Sequence, residues 1–360
     1  MAADGAEPPG EIVALTSLRG YLALWVVAFH YWGDVVRLFP WADALSPVAR
    51  MGHMAVPAFF MLSGFVLSHN YAARFAVLRR AEALRFLWRR LGRIYPVHVV
   101  TLLAVAAMVW VSGRAGYQLN DAGYTSGDFV RNVFLVHTWV PDFRLNWNYP
   151  SWSISSEWFA YLLFPFVAAG VLCRLTTPRR AGLFALLAVA ASVGVAVGWR
   201  PWLYYELVLV VPTFLAGTAA FALLRGRTGT GPRRLPEVMV LALGAACFVP
   251  AGDAVVAVLL CGCFALIVAI VRCGPGAARV WTAGPVVFLG EVSYSLYMTH
   301  TVAQKVLYRL LPAGRFGSAD VSTKVGVAVA YVGLVVVCCL ATYYLVERPC
   351  RRCFQAGSRR

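Results

Sequence analysis

The feature that most constrains this chain is the recurrence of long apolar runs: Leu22–His30, Val99–Val111, Tyr161–Cys173, Ala181–Gly198, Val255–Val271 and Val325–Val346. Each reaches the roughly 20 residues that cross hydrocarbon, or extends to that length through small and aromatic neighbours. Charged residues make up 13% of the sequence, whereas soluble domains are about a quarter charged. The expected fold is all-α, a polytopic membrane helical bundle integral to the plasma (inner) membrane and crossing it many times.

The pattern predicts about ten transmembrane helices, near 16–36, 51–71, 94–112, 152–172, 181–199, 203–224, 236–250, 254–272, 285–308 and 323–346. An even number puts both termini on one side. Alternate loops then separate by charge. Segment 74–93 holds Arg74, Arg79, Arg80, Arg85, Arg89, Arg90 and Arg93, later loops hold Arg174, Arg179, Arg180, Arg225, Arg227, Arg233 and Arg234, and the tail runs from Arg348 to Arg360. Positive segments stay cytoplasmic. Outward-facing connections are the tight Trp199-Arg200-Pro201-Trp202 and the segment Gly113–Pro150, which carries Asp121, Asp128 and Asp142. The expected organisation is a short cytoplasmic N-terminus (1–15), a single membrane-embedded domain (16–346) and a basic cytoplasmic tail (347–360). Met1–Glu11 carries acids and prolines with no basic region, so no removable signal peptide is expected.

A net charge of +16 raises nucleic acid as a partner. That function needs a basic face outside lipid, and here the basic residues lie between hydrophobic spans, so membrane lipids are the expected surroundings. The nine cysteines fall inside apolar runs or beside basic segments, which argues against an extracellular disulfide framework. Cys350-Arg351-Arg352-Cys353 is a single pair without further ligands, so no metal is expected. Phosphate-loop, dinucleotide, His-Glu-x-x-His and Gly-x-Ser-x-Gly motifs are absent.

Ionisable residues within apolar spans cost at least about 2.5 kcal/mol each, so each demands a reason. Arg19 opens the first span, and His30 follows eleven residues later, about 16 Å along a helix. Asp34 lies at i+4 from His30, a spacing that shares one helix face and could orient or charge-stabilise the imidazole; for His30 itself a capping or interfacial role near the outer end of a short span competes. Glu157 enters the fourth span after the polar stretch Pro150-Ser151-Trp152-Ser153-Ile154-Ser155-Ser156. His300 follows Ser293-Tyr294-Ser295-Leu296-Tyr297-Met298-Thr299, where a helix-packing hydrogen bond competes with a site role. Arg85, Arg89 and Arg93 recur at i, i+4 with Arg90 beside them, a stripe that suits phosphate groups and equally anionic lipid head groups.

Six segments carry a resemblance in chain order: Leu18-Arg19-Gly20 with Val26-Val27-Ala28-Phe29-His30; Val56 to Phe65 (Val-Pro-Ala-Phe-Phe-Met-Leu-Ser-Gly-Phe); Arg90-Leu91-Gly92-Arg93-Ile94-Tyr95-Pro96; Trp152-Ser153-Ile154-Ser155-Ser156-Glu157-Trp158-Phe159; Ser293 to His300; and Tyr343-Tyr344-Leu345-Val346-Glu347-Arg348-Pro349. Together they resemble the acyltransferase-3 family of bacterial membrane O-acyltransferases. Pro57 departs from a smooth apolar run and is expected to kink its helix.

The resemblance implies acyl transfer from acyl-CoA, possessing no bound cofactor, to a hydroxyl of a carbohydrate, glycolipid or glycosylated natural product. His30 would be the general base, with Asp34 or Glu157 stabilising the imidazolium. Arg19, Arg90 and Arg93 would hold the donor's phosphates, and Ser63, Trp152, Ser153, Tyr297 and His300 would line the acceptor side. An acyl-enzyme on Ser63 or Ser153 is an open alternative, and acetyl or another short acyl group is the default. A reading from another class is a proton-coupled transporter of an acidic metabolite relaying protons through His30, Glu157 and His300.

Overall fold

The computed structural model describes residues 12–116, 123–142, 144–198, 205–225, 231–250, 252–273 and 278–357. Met1–Glu11, the expected turn Trp199-Arg200-Pro201-Trp202, Asp121 and Arg227 lie outside them. Among the described residues the regular structure is helical. In order come α1 (Val13–Leu38), α2 (Ser46–Arg50), α3 (Ala55–Tyr71), α4 (Arg80–Arg114), α5 (Ser126–Val133), α6 (Ser151–Gly170) and α7 (Pro178–Gly198). They are followed by α8 (Tyr205–Leu224), α9 (Leu235–Ala246), α10 (Asp253–Cys273), α11 (Arg279–Thr282), α12 (Gly284–Leu310), α13 (Val321–Thr342) and α14 (Arg348–Gly357). The chain is an all-α polytopic helical bundle.

Each expected span falls on a helix, and among the described residues eight helical stretches are long and apolar enough to cross a membrane: α1, α3 together with the short helical turns that lead into it (Pro40–Tyr71), α4, α6, α7, α8, α10, and α13 continued into α14 (Val321–Ala356). The other two fall short for different reasons. Helix α9 has 12 residues, a rise of about 18 Å against roughly 30 Å of hydrocarbon. Helix α12 has the length, 27 residues, but carries Glu291, His300, Lys305 and Arg309 among its serines and tyrosines.

Three local expectations change. The basic segment 74–93 is not all loop, because helix α4 already starts at Arg80 and runs for 35 residues. Its Arg, Ala, Leu and Glu content favours helix, Phe86 is buried, and Arg85 pairs with Glu82 at 2.7 Å. The tail from 347 is likewise structured: a π-helical turn over Tyr343–Glu347 leads into α14. Pro57 does not kink a helix, since α3 begins at Ala55 and a proline in the first turn removes an N–H that has no intrahelical partner.

Helices α1 and α12 cross closely, and the crossing depends on Gly290, where a Cβ would strike the Thr16 carbonyl and Gly20 lies opposite. Small residues at such a crossing let backbones approach in membrane bundles. The buried core runs through α1, α3, α4, α6, α8, α10 and α12. At one end, Leu172 and Leu175 pack with Ala72 and Phe221, and Phe354 of α14 rests on Trp88 of α4 at 4.6 Å. That end gathers the arginine-rich segments.

Candidate active site

The close approach of α1 to α12 sets two imidazoles side by side. His30 and His300 have ring centroids 4.8 Å apart, with His300 Nε2 at 3.3 Å from His30 Nδ1. Their backbone contacts fix the tautomers. His300 Nδ1 lies 2.6 Å from the Tyr297 carbonyl and His30 Nδ1 lies 2.9 Å from the Val26 carbonyl. A carbonyl only accepts, so both Nδ1 atoms carry hydrogen. His300 Nε2 then offers a lone pair to His30 Nδ1–H. What remains is His30 Nε2, an unprotonated nitrogen that is buried and has no hydrogen-bond partner.

His300 is fully buried, and its own carbonyl accepts from the Tyr31 hydroxyl at 2.7 Å. Gln304 donates to the His30 carbonyl at 2.7 Å. Both α1 and α12 are thereby pinned where the imidazoles meet. Tyr149, which the sequence reading passed over, packs edge-on to His30 at 5.4 Å; nothing in a lone tyrosine before Pro150 distinguishes it.

A narrow cavity of about 110 Å³ is lined by Arg19, Ser63, Arg90, Arg93, Ser153, Glu157, Tyr161, Tyr294 and Tyr297 together with apolar residues of α3. Seven of the eleven residues singled out from sequence thus border one space. Glu157 is held by two hydroxyls, Ser63 donating at 2.8 Å and Tyr161 at 2.7 Å. Tyr161 is i+4 from Glu157, a same-face spacing readable in advance. Arg90 donates to the Tyr71 hydroxyl at 3.1 Å and lies over the Tyr71 and Phe86 rings at 5.3 and 5.8 Å, a planar stacking that a lysine would not reproduce.

Tyr297 joins the cavity to the imidazoles. Its hydroxyl is 2.7 Å from Ser153 Oγ, its ring is 6.0 Å from His300, and its carbonyl is the one that fixes the His300 tautomer. Trp152 is not among the cavity-lining residues; its ring packs on Phe60 at 6.5 Å.

Asp34 does not join His30. The His30 ring folds back over the preceding turn to its own Val26 carbonyl, as helical side chains lean towards the N-terminus. The Asp34 carboxylate instead pairs forward with Arg37 at 3.2 Å. Shared-face spacing put the two residues in reach, and competing local partners separated them.

A buried polar lattice that sequence reasoning missed anchors the start of α6, and with it Ser153 and Glu157. His98 Nε2 donates to the Asn132 carbonyl at 2.8 Å, Asn148 donates to Thr101 at 2.9 Å, and Ser151 donates to the Asn148 carbonyl at 2.7 Å. His137, stacked 6.4 Å from His98, is held down to about 3 by burial first and then by the neighbouring imidazole. It serves this lattice as a neutral ring.

Comparison with known proteins follows the same lines. The acyltransferase-3 family model, described as an acyltransferase domain, matches residues 12–344. Acyltransferase MdmB of Streptomyces mycarofaciens is 27% identical over 378 aligned positions, covering 95% of this chain and 92% of the relative. A Komagataeibacter xylinus protein named "Putative membrane-bound transacylase BcsY" is 28% identical over 93% of this chain and 81% of its own length. No solved structure gives a significant match.

Proposed function

This chain belongs to the acyltransferase-3 family, and from that premise we propose that it carries an acyl group from cytosolic acyl-CoA to a hydroxyl of a carbohydrate, glycolipid or glycosylated natural product, with His30 as general base. The single observation that carries the mechanism is the free nitrogen of His30: buried Nε2 has no partner, while Nδ1 is committed to Val26 and His300.

In the proposed reaction His30 Nε2 takes the acceptor's hydroxyl proton as that oxygen attacks the thioester carbonyl. The new C–O bond forms, the C–S bond breaks, and the proton passes from the imidazolium to the departing thiolate. An imidazole is the side chain most often used for such a proton transfer. Arg19, Arg90 and Arg93 would meet the donor's pyrophosphate at one end of the narrow cavity, leaving the pantetheine arm to run past Ser63, Ser153 and Tyr297 towards His30. The rise from Arg19 to His30, about 16 Å along α1, suits an extended arm. Ser63 and Ser153 are read as lining groups, since each is engaged with a neighbour. The arginine-rich end would face the cytosol, where acyl-CoA is found, and the acceptor would approach from the His30 end.

The proton-coupled transporter draws less support. A relay would need Glu157 to communicate with the imidazoles, whereas its carboxylate is held by Ser63 and Tyr161 and the imidazoles by backbone carbonyls.

The test is purification into nanodiscs, acyl-CoA binding by calorimetry, and release of free CoA with candidate acceptors. His30→Ala is expected to keep acetyl-CoA affinity and to lose about 10²–10⁴ in turnover, the usual worth of a positioned base. Well-folded protein that binds no acyl-CoA would overturn the donor assignment; undiminished turnover in His30→Ala would overturn the base.

A further inference from the structure

Beyond Arg19 lies a second polar cavity, of about 320 Å³, that the mechanism above leaves unused. Its walls include Arg19, Arg348, Arg351, Arg352, Glu291 and Gln355. Arg348, Arg351, Arg352 and Gln355 fall at i, i+3, i+4 and i+7 of α14, the spacing of a single helix face. Resting on the acyl-CoA reading, we propose that this cavity is the subsite for the ribose 3′-phosphate of the donor and makes the enzyme selective for coenzyme A over its dephosphorylated form.

Charge is the first argument. Four guanidinium groups share the cavity with one carboxylate, Glu291, which also accepts from the Tyr343 hydroxyl at 3.3 Å. Glu347, buried behind the turn, pairs with Arg351 at 3.5 Å. Two carboxylates against four guanidiniums leave an excess of two positive charges converging on a concave space. Like charges at such range repel, and a phosphate dianion matched by guanidinium forks relieves that repulsion with directed hydrogen bonds.

The second argument is that the helix carrying the arginines is held in place. Phe354 stacks on Trp88 at 4.6 Å, and it fills the space where any side chain on Gly92 would have to go. The π-helical turn Tyr343–Glu347 adds a residue to the helical register, bringing Glu347 inward to accept from Ser295 at 2.7 Å. Such turns recur at functional sites. On that face Arg351 is half-buried against Glu347, and Arg348 and Arg352 stand at the rim of the same cavity, which is walled by α1, α12 and the turn.

The third argument is order along the donor. Arg19 borders both cavities. With the thioester at His30 and the pyrophosphate near Arg19, Arg90 and Arg93, the nucleotide's ribose phosphate comes next, on the α14 side of Arg19.

The experiment compares acetyl-CoA with 3′-dephospho-acetyl-CoA by calorimetry in phosphatidylcholine nanodiscs. It uses wild type, Arg348→Gln/Arg352→Gln, whose two side chains are at the exposed rim, and Gly92→Leu, which displaces Phe354 and so shifts α14. Wild type is expected to prefer acetyl-CoA by about tenfold or more, as charged hydrogen bonds do. The double variant should lose that preference while binding the dephosphorylated donor as wild type does, and Gly92→Leu should follow it. A double variant that keeps the preference, or that weakens both donors equally, overturns the subsite while leaving acyl-CoA as donor. Wild type that binds neither donor fails the underlying reading as well. Repeating the measurement with phosphatidylglycerol present separates the other phosphate source: a thermal stabilisation by that lipid which the double variant abolishes, with acetyl-CoA affinity unchanged, assigns the cavity to a lipid head group and overturns the proposal.

Discussion

His30 and His300 show how one residue's chemistry is set by the lone pairs of its neighbours. The Tyr297 carbonyl forces hydrogen onto His300 Nδ1, His300 Nε2 becomes an acceptor, and His30 is left with its free nitrogen at Nε2. Under the proposed mechanism His300 would be a positioning residue, and its worth can be read separately from packing. His300→Ala is expected to lower kcat about tenfold, the scale of one orienting hydrogen bond, with KM for acyl-CoA unchanged. His300→Gln, whose amide oxygen can still accept from His30 Nδ1–H, should regain most of that loss in the CoA-release assay. Equal losses in both variants would mean that the second imidazole only fills space. At this scale the sequence was legible where lipid makes an ionisable side chain costly, which is why Arg19, His30, Glu157 and His300 stood out. It was misleading at Asp34, whose helical spacing to His30 is real but whose nearer partner, Arg37, decides its orientation.

At the scale of elements, the site depends on where α1 and α12 cross. Gly290 sits against the Thr16 backbone, on the same two helices that carry Arg19, His30, Tyr297 and His300. Gly290→Ala should therefore separate the helices and cost about 1–3 kcal/mol, the usual penalty of overpacking. Thermal unfolding in detergent and acetyl transfer should fall together. The control is Gly326→Ala on α13, where a methyl group would meet open space, and neither quantity should move. Helix positions were readable because an apolar run of sufficient length has few other ways to satisfy its backbone in lipid. The N-terminal extension of α4 and the whole of α14 were not, because arginine-rich stretches read as solvated loop or tail. Their helical state rests on contacts distant in sequence, above all Phe354 against Trp88 and Gly92.

For the whole molecule, the decisive quantity is the orientation of the charged end. The turn after α6 and helix α14 lie at the arginine-rich end, whereas the segment between α12 and α13 approaches the far end of α1, with Gly317 near the Arg37 carbonyl. The proposed reaction requires the arginine-rich end to meet cytosolic acyl-CoA, which agrees with the bias of basic residues towards the cytoplasm. That orientation is testable without any substrate. In a background with all nine free cysteines replaced by serine or alanine, Thr176→Cys and Ser318→Cys place one thiol at each end, both at exposed positions. A membrane-impermeant maleimide added to intact spheroplasts should label Ser318→Cys and spare Thr176→Cys until the membrane is opened. The reverse pattern would put the arginines proposed to bind phosphate on the side that lacks acyl-CoA, and the proposed donor path through Arg19 to His30 would then run in a direction no cytosolic thioester could enter.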